Sequence, residues 1–157
     1  IDITAIVMNN RIYGMTGGQY SPMSGCGVKA STAPYGVPDR AFDLVELAKG
    51  AGATFVARTT VYHAKEAQST IKKAIEHKGF SVVEILSMCP TQFGRKNKAG
   101  EAPQMMEWYK EATVPMGSKK LEENPDLIQR GVFVDEDVPE YCEVYQTNVI
   151  DKVMKKG

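Results

Sequence analysis

The 157-residue sequence predicts an α/β fold, with a parallel sheet flanked by helices. Apolar runs at residues 3–8, 54–57 and 80–86 have the length and the β-prone composition of buried strands. Segments with apolar residues at helical spacing lie before and after the second of these runs. Strands that alternate with helices favour a parallel sheet whose crossovers are right-handed.

The two helical segments have recognisable ends. The first is predicted to begin at Pro38 and to end at Gly50. In the second, Thr59 or Thr60 is a candidate N-cap, and Gly79 is a natural stop. The apolar positions expected to face the sheet are Ala41, Leu44, Val45 and Ala48 in the first helix and Ala67, Ile71, Ala74 and Ile75 in the second.

The first apolar run leads into Asn-Asn-Arg-Ile-Tyr-Gly-Met-Thr-Gly-Gly-Gln-Tyr-Ser-Pro at residues 9–22. Asparagine amide oxygens are neutral, hard donors that Mg²⁺ accepts beside phosphate oxygens. Gly14, Gly17 and Gly18 permit positive φ and a close approach of backbone N–H groups to an anion. The same residue types are typical of an ordinary strand-to-loop turn, so they leave a diphosphate site and a simple turn both open.

Three polar residues are expected at one edge of the sheet. Ligands of parallel sheets bind beyond the carboxyl ends of the strands, and Asn9, Asn10 and Cys89 each follow a predicted strand. The connection at residues 14–37 is longer than an ordinary loop, which favours a functional lid or a cofactor wall.

Composition excludes several classes of function. The 19 basic residues balance the 19 acidic ones, which argues against nucleic acid or an anionic membrane as a partner. No apolar run approaches the roughly 20 residues that span a bilayer. The three cysteines have no CxxC spacing, which favours a reduced, cytoplasmic protein. Cys26 and Cys142 are interpreted as incidental thiols, and His63 and His77 are assigned to helix ends.

Residues 9–22 resemble the second half of the thiamine diphosphate motif, which opens with Gly-Asp-Gly and closes with Asn-Asn. The segment is most similar to the beta subunit of 2-oxoacid:ferredoxin oxidoreductases, above all the 2-oxoglutarate:ferredoxin oxidoreductases, or 2-oxoglutarate synthases. A second family element, Ser-Met-Cys-Pro-Thr, stands at residues 87–91. The likeness runs from Ile3 to about Trp108, and Gly-Asp-Gly is absent, so the chain is identified as the C-terminal portion of such a subunit.

The resemblance implies thiamine diphosphate bound through Mg²⁺. The Asn10 side chain and the Ile12 backbone carbonyl would be metal ligands, and Gly14, Met15 and Thr16 would contact the cofactor. Met15 would pack against the bent cofactor between its two rings, whereas a simple core methionine is the alternative.

The resemblance also makes Cys89 one ligand of a four-iron iron–sulfur cluster whose remaining ligands lie upstream. A buried cysteine at the end of a core strand is the alternative. The Asp of Gly-Asp-Gly has no counterpart, because Asp2 lies at the opposite end of the first strand from the asparagines. No catalytic side chain is assigned.

The function implied by the resemblance is oxidative decarboxylation of 2-oxoglutarate to succinyl-coenzyme A and CO₂, with electrons passing to ferredoxin. The implied partners are an alpha subunit, with gamma and delta subunits as further candidates, together with ferredoxin, coenzyme A and the 2-oxoacid. Pyruvate or a branched 2-oxoacid is the alternative substrate. A catalytically silent assembly module is the alternative from another class, and the isolated chain is expected to be inactive.

Residues 1–115 are assigned to the C-terminal half of a thiamine-diphosphate-binding domain, and residues 116–157 to an extension for packing or subunit assembly. The helix-compatible segment 103–113 is expected to supply core or interface residues. The basic run 95–98 is either a solvated surface or a docking site for acidic ferredoxin or for coenzyme A phosphates.

Overall fold

The computed structural model describes residues 1–155. The strands are β1 (Ile3–Asn9), β2 (Ile12–Tyr13), β3 (Gln19–Tyr20), β4 (Phe55–Thr60), β5 (Phe80–Leu86), β6 (Thr113–Pro115) and β7 (Ile128–Asp135). The helices are α1 (Leu44–Gly50), α2 (Ala64–Glu76), α3 (Arg95–Asn97), α4 (Ala102–Ala112), α5 (Lys120–Glu123), α6 (Tyr141–Tyr145) and α7 (Asp151–Met154), and π-helical turns span Pro90–Gly94 and Gln146–Ile150. Within the described residues, no helix has the length and apolar character needed to cross a membrane.

A five-stranded sheet in the order β1-β5-β4-β7-β6 forms the centre of the fold. β1, β5 and β4 are mutually parallel neighbours, and α2 is the crossover between β4 and β5, so the predicted α/β fold is confirmed. β7 differs because it runs antiparallel to β4. This strand is only half-buried and contains Arg130 and Gly131, so it lacks the continuous apolar run of a buried parallel strand.

Two apolar clusters cover the two faces of the sheet. Alternate residues of a strand point to opposite faces, which separates Val56 from its neighbours Phe55 and Ala57. The first cluster comprises Val45, Ala48, Ala53, Val56 and Val82, and the second comprises Phe55, Ala57, Ala74, Val83 and Ile85. Helix α1 therefore packs on one face and α2 on the other.

Helix α1 begins later than its predicted start at Pro38. The Asp43 carboxylate oxygen Oδ1 accepts hydrogen bonds from the backbone N–H groups of Val45, at 2.9 Å, and Glu46, at 3.3 Å. This carboxylate is the N-cap, and the preceding residues are not helical. The predicted stop at Gly50 is confirmed.

Helix α2 also begins later than predicted. Thr59 and Thr60 end strand β4 and are fully buried, and His63 occupies the N-cap position. His63 and His77 thus lie at the two ends of α2, as predicted. Ile75 is 63% exposed, so its predicted place on the buried stripe is wrong.

The long loop after β1 has a small core of its own. Its buried residues are Ile12, Ala30, Ala33 and Val37, with Val28, Cys89 and Phe93 packed against them. This cluster joins the glycine-rich turn to the segment that follows β5.

The predicted C-terminal extension contributes to the same sheet, because β7 pairs with β4. The division of the chain at residue 115 stays a prediction, and residues 156 and 157 lie outside the described part.

Candidate functional site

The carboxyl ends of β1 and β5 meet at one edge of the sheet. Asn9 pairs in register with Leu86, and the Ser87 backbone N–H donates a hydrogen bond to the Asn9 carbonyl at 2.8 Å. The expectation that Asn9, Asn10 and Cys89 lie at neighbouring strand ends is therefore confirmed.

Side chains hold the turn that follows β1. The Asn9 oxygen Oδ1 accepts the Arg11 N–H at 3.0 Å, and the Asn10 oxygen Oδ1 accepts the Ile12 N–H at 3.1 Å. Arg11 has φ of 62°, a left-handed conformation that residues with a side chain rarely adopt. The Ser24 hydroxyl donates to the Arg11 carbonyl at 2.5 Å. These contacts fix the direction in which the Asn10 side chain and the Ile12 carbonyl point.

The predicted cofactor-binding residues line one cavity of about 300 Å³. They are Asn10, Ile12, Gly14, Met15 and Thr16. Met15 is fully exposed, so it is not the core methionine of the alternative interpretation. Thr16 and Gln19 bond to each other, with the Thr16 hydroxyl donating to Gln19 Oε1 at 2.6 Å. The five residues share one cavity, and their individual contacts with a cofactor stay predictions.

Two oxygens at this turn are of the kind that a magnesium ion accepts. Asn10 Oδ1 accepts the Ile12 N–H, and the Ile12 carbonyl accepts the Gly14 N–H at 3.0 Å, so each oxygen keeps a free lone pair. No group of three or more His, Cys, Asp and Glu residues that could hold a metal occurs among residues 1–155. The turn thus offers two neutral ligands, which suits a metal cation whose positive charge is balanced by a bound diphosphate.

Asp2 lies away from this turn, as predicted. Its carboxylate accepts the Gly79 backbone N–H and pairs with Lys78, each at 3.4 Å, at the start of β1. The hydrogen bond from Gly79, followed by that from Lys78, lowers the pKa of Asp2.

Gly14 and Cys89 approach each other too closely for a side chain at position 14. A Cβ atom added to Gly14 would lie 2.8 Å from Cys89 Sγ, whereas ordinary contacts begin at 3.4 Å. Gly14 does not have positive φ, unlike Gly17 and Gly18, at 112° and 86°. The prediction that Gly14 serves a left-handed conformation is wrong, because what excludes a side chain there is the sulfur atom.

Cys89 lies at the start of the π-helical turn, beside the apolar cluster of the long loop. Burial alone would raise the pKa of Cys89, but hydrogen bonds from the Thr91 hydroxyl and from the N–H groups of Gln92, Phe93 and Thr91 outweigh it and lower the pKa. The Cys89 Sγ to Thr91 Oγ1 distance is 3.5 Å. These donors stabilise a thiolate, the form that binds metal. Cys26 and Cys142 are exposed and, like Cys89, form no disulfide.

An ionic chain behind the turn, buried at Glu84 and Arg58, was missed by the sequence analysis. Glu84 Oε1 accepts a hydrogen bond from Asn9 Nδ2 at 2.6 Å, and Glu84 Oε2 pairs with Arg58 Nε at 2.6 Å. Arg58 Nη2 in turn meets Asp43 Oδ1 at 2.6 Å. Burial would lower the pKa of Arg58, but the negative charges of Glu84 and Asp43 raise it above its ordinary value. The sequence signal that could have predicted this ionic chain is Glu84, the one acidic residue inside the apolar run at residues 80–86.

A second cavity of about 280 Å³ opens on the other side of the turn. The Arg11 guanidinium lies 5.0 Å above the Trp108 ring, and the Tyr109 hydroxyl donates to the Ser87 carbonyl. Met105 and Tyr109 are buried, which confirms that this face of α4 packs in the core, whereas Trp108 is 44% exposed and lines the cavity.

The basic run 95–98 is partly structural. The Lys96 ammonium donates to Gln92 Oε1 at 2.9 Å, and Asn97 bonds to the backbone N–H and carbonyl of Lys29. Arg95 and Lys98 line a shallow cavity beside Thr91.

The fold and the turn define a class of thiamine-dependent protein. Residues 1–85 match the family described as thiamine pyrophosphate enzyme, C-terminal TPP binding domain, and the chain belongs to this family. The match ends before Cys89, so it does not include the second family element at residues 87–91.

The chain is also similar to named proteins. It is 44% identical over 147 residues to a 2-oxoglutarate synthase subunit KorB from Methanothermobacter marburgensis, covering 91% of this chain and 51% of that protein. It is 43% identical over 91 residues to a 2-oxoacid:ferredoxin oxidoreductase subunit beta from Saccharolobus solfataricus, covering 58% of this chain and 30% of that protein.

Among solved structures it resembles a 2-oxoglutarate:ferredoxin oxidoreductase from Magnetococcus marinus with 2-oxoglutarate, coenzyme A and succinyl-CoA bound. The TM-score is 0.78 at 27% identity, covering 99% of this chain and 53% of that one. The chain spans about half the length of the KorB relatives it matches.

Proposed function

We propose that this chain is the C-terminal portion of the beta subunit of a 2-oxoacid:ferredoxin oxidoreductase. In the complete cytoplasmic enzyme, 2-oxoglutarate would be decarboxylated oxidatively to succinyl-coenzyme A and CO₂, and the electrons would pass to ferredoxin. The names of the KorB relatives and of the Magnetococcus marinus structure support this substrate. The observation that carries the proposal is the contact between Gly14 and Cys89.

At the cofactor side, the chain would bind thiamine diphosphate and hold it in a fixed orientation. Asn10 Oδ1 and the Ile12 carbonyl would hold Mg²⁺, with Gly14, Met15 and Thr16 around the cofactor. Thiamine diphosphate, when bound, supplies the carbon nucleophile and the electron sink for decarboxylation. Because the side chains of Asn9 and Asn10 already brace the turn, the metal ligands would need little rearrangement on binding.

At the cluster side, Cys89 would be one of the thiolate ligands. A four-iron cluster, when bound, supplies one-electron transfer, and hydrogen bonds to its sulfurs tune its potential. The N–H groups and the hydroxyl around Cys89 Sγ suit this role, because they favour the ionised thiol.

The contact joins these two sides. A glycine at position 14 allows the Cys89 sulfur to lie against the backbone of the turn that would carry thiamine diphosphate. An ordinary structural cysteine needs no such glycine, and a simple turn needs no thiol beside it. The arrangement fits an enzyme that transfers electrons from a thiamine diphosphate cofactor to an iron–sulfur cluster.

Two alternatives make different predictions. The same chemistry on pyruvate or a branched 2-oxoacid would reflect substrate contacts made by the alpha subunit. A catalytically silent assembly module would bind neither thiamine diphosphate nor a cluster. Partner alpha, gamma and delta subunits, ferredoxin and coenzyme A all belong to the proposal for the complete enzyme.

The test uses the complete enzyme, purified without oxygen, and its Cys89→Ser variant. We expect the wild type to reduce ferredoxin with 2-oxoglutarate and coenzyme A, and faster than with pyruvate. The variant should lose the visible and electron-paramagnetic signals of one cluster while still binding thiamine diphosphate. Cys26→Ser, which changes an exposed thiol, is the matched control and should keep the cluster. An unchanged cluster in Cys89→Ser, or a wild type without 2-oxoacid oxidation, would overturn the proposal.

A further inference from the structure

We propose that Glu84 is a positioning residue for the cofactor turn, acting through the Asn9 side chain. The inference rests on the proposed function, since it assigns to Glu84 the task of setting the turn that would hold Mg²⁺ and thiamine diphosphate.

Glu84 lies inside the sheet, on β5 between β1 and β4. It is 2% exposed, and its register partner on β4 is Arg58. A buried ion pair is weak evidence for stability, because a well-packed apolar pair often serves packing as well or better. The pair therefore calls for a role beyond packing.

The second oxygen of Glu84 indicates that role. Oε2 is used by Arg58, whereas Oε1 accepts the Asn9 amide N–H at 2.6 Å. A carboxylate can only accept hydrogen bonds, so it dictates which end of the Asn9 amide faces it. The NH₂ group must point to Glu84, and Oδ1 must point the other way.

The orientation of Asn9 decides the shape of the turn. With Oδ1 turned outward, it accepts the Arg11 N–H at 3.0 Å and supports the left-handed conformation of that residue. A flipped amide would place two donors, NH₂ and N–H, against each other. The left-handed step at Arg11 comes directly before Ile12, which lines the candidate cofactor cavity.

The chain of contacts thus runs from Arg58 through Glu84 and Asn9 to Arg11. Outer partners of metal ligands commonly change metal affinity by about 10–100-fold when they are removed. Glu84 is further from the metal than such a partner, because Asn9 and the Arg11 backbone lie between it and Ile12, yet its bonds are short, charge-assisted and buried.

The test is the affinity of the complete enzyme for thiamine diphosphate with Mg²⁺, measured by calorimetry after cofactor removal, beside the melting temperature of the cofactor-free protein. Glu84→Gln keeps the shape of the side chain, but its amide satisfies either Arg58 or Asn9, not both. We expect the affinity to fall by about tenfold or more.

Asp43→Asn is the matched control. It removes the outer charge beside Arg58, keeps an N-cap residue for α1, and leaves the Glu84 to Asn9 bond in place. It should lower the melting temperature while the affinity for thiamine diphosphate stays within about twofold of the wild type. A purely structural role for Glu84 predicts the same pattern for Glu84→Gln, and that result would overturn the inference.

Asn9→Ala keeps the inference testable if Glu84→Gln does not fold, because it leaves the Glu84 to Arg58 pair intact. It should weaken binding as Glu84→Gln does, and the double variant should bind no worse than Asn9→Ala alone. Unchanged binding in Asn9→Ala contradicts the inference. A wild-type enzyme that binds no thiamine diphosphate contradicts the proposed function itself, which separates the two failures.

Discussion

The Gly14→Ala substitution tests whether the cofactor turn and Cys89 are coupled. The added Cβ would lie 2.8 Å from Cys89 Sγ, and no positive φ is involved. Ordinary contacts lie at 3.4–4 Å, so the sulfur or the turn must move by about 0.6–1.2 Å.

The sign of the change in the free energy of unfolding of Gly14→Ala shows whether the added methyl group fits or clashes with Cys89. Where alanine fits without strain, replacing glycine stabilises a protein by about 0.4–1 kcal/mol, because the unfolded chain loses freedom. Overpacking against a neighbour instead destabilises by about 1–3 kcal/mol. We expect destabilisation in denaturant unfolding of the cofactor-free protein, and, in the complete enzyme, a lower content of cluster or of bound thiamine diphosphate.

Gly25→Ala is the matched control, since no atom lies within 4 Å of its added Cβ and its φ is not positive. Its effect on the free energy of unfolding should stay near zero or favour the folded state. Adding Cys89→Ala to Gly14→Ala removes the clashing sulfur and should recover at least about 1 kcal/mol beyond additivity. A stabilised Gly14→Ala variant with normal cluster content would refute the coupling.

Three further predictions concern single residues. The pKa of Cys89 is lowered from the ordinary 9.0, so in cluster-free protein at about pH 8 this thiol should be alkylated faster than Cys26 and Cys142. Mass spectrometry resolves the three rates, and equal rates would contradict a stabilised Cys89 thiolate. Met15→Ala should leave the free energy of unfolding within about 0.5 kcal/mol, since the side chain is fully exposed, yet weaken thiamine diphosphate binding by about tenfold; unchanged binding would remove Met15 from the site. Burial, and then the charge of Arg130, lower the pKa of His63 below 6.5, so the unfolded state binds the proton more readily and the folded protein should lose stability as the pH drops through about 6.5. His63→Gln should flatten this pH dependence in thermal melts from about pH 8 to about pH 5, and an unchanged slope would contradict the prediction.

The sequence predicted the parts of the fold that depend on local pattern. Strands β4 and β5 are buried along almost their whole length, and their apolar runs made them visible in the sequence. Strand β1 has an apolar run too, although it is an edge strand with several exposed side chains. Strand β7 has the half-buried composition of an antiparallel partner, and its pairing with β4 joins segments far apart in the sequence. The start of α1 was missed because Pro38 is a common first-turn residue, whereas the Asp43 cap competes with it.

The candidate site could be predicted only where its residues are close in the sequence. The proposed ligands and cofactor contacts of the turn from Asn9 to Thr16 are neighbours in the sequence, so its resemblance to the thiamine motif was visible. The bond between Asn9 and Glu84 spans 75 positions, and no local pattern encodes it. An acidic residue in a buried strand is nevertheless a usable signal, because an unpaired carboxylate there would be strongly destabilising.

Gly14 illustrates why the rest required the structure. From the sequence, its lack of a Cβ indicated a left-handed turn, as it does for Gly17 and Gly18. The structure instead makes Gly14 the point where the turn after β1 touches the segment after β5. The two explanations give opposite signs for Gly14→Ala in the Cys89→Ala background: strain in φ would persist without the sulfur, whereas a clash would disappear. Recovery of stability in that background would therefore assign the glycine to the junction between the proposed cofactor and cluster sites.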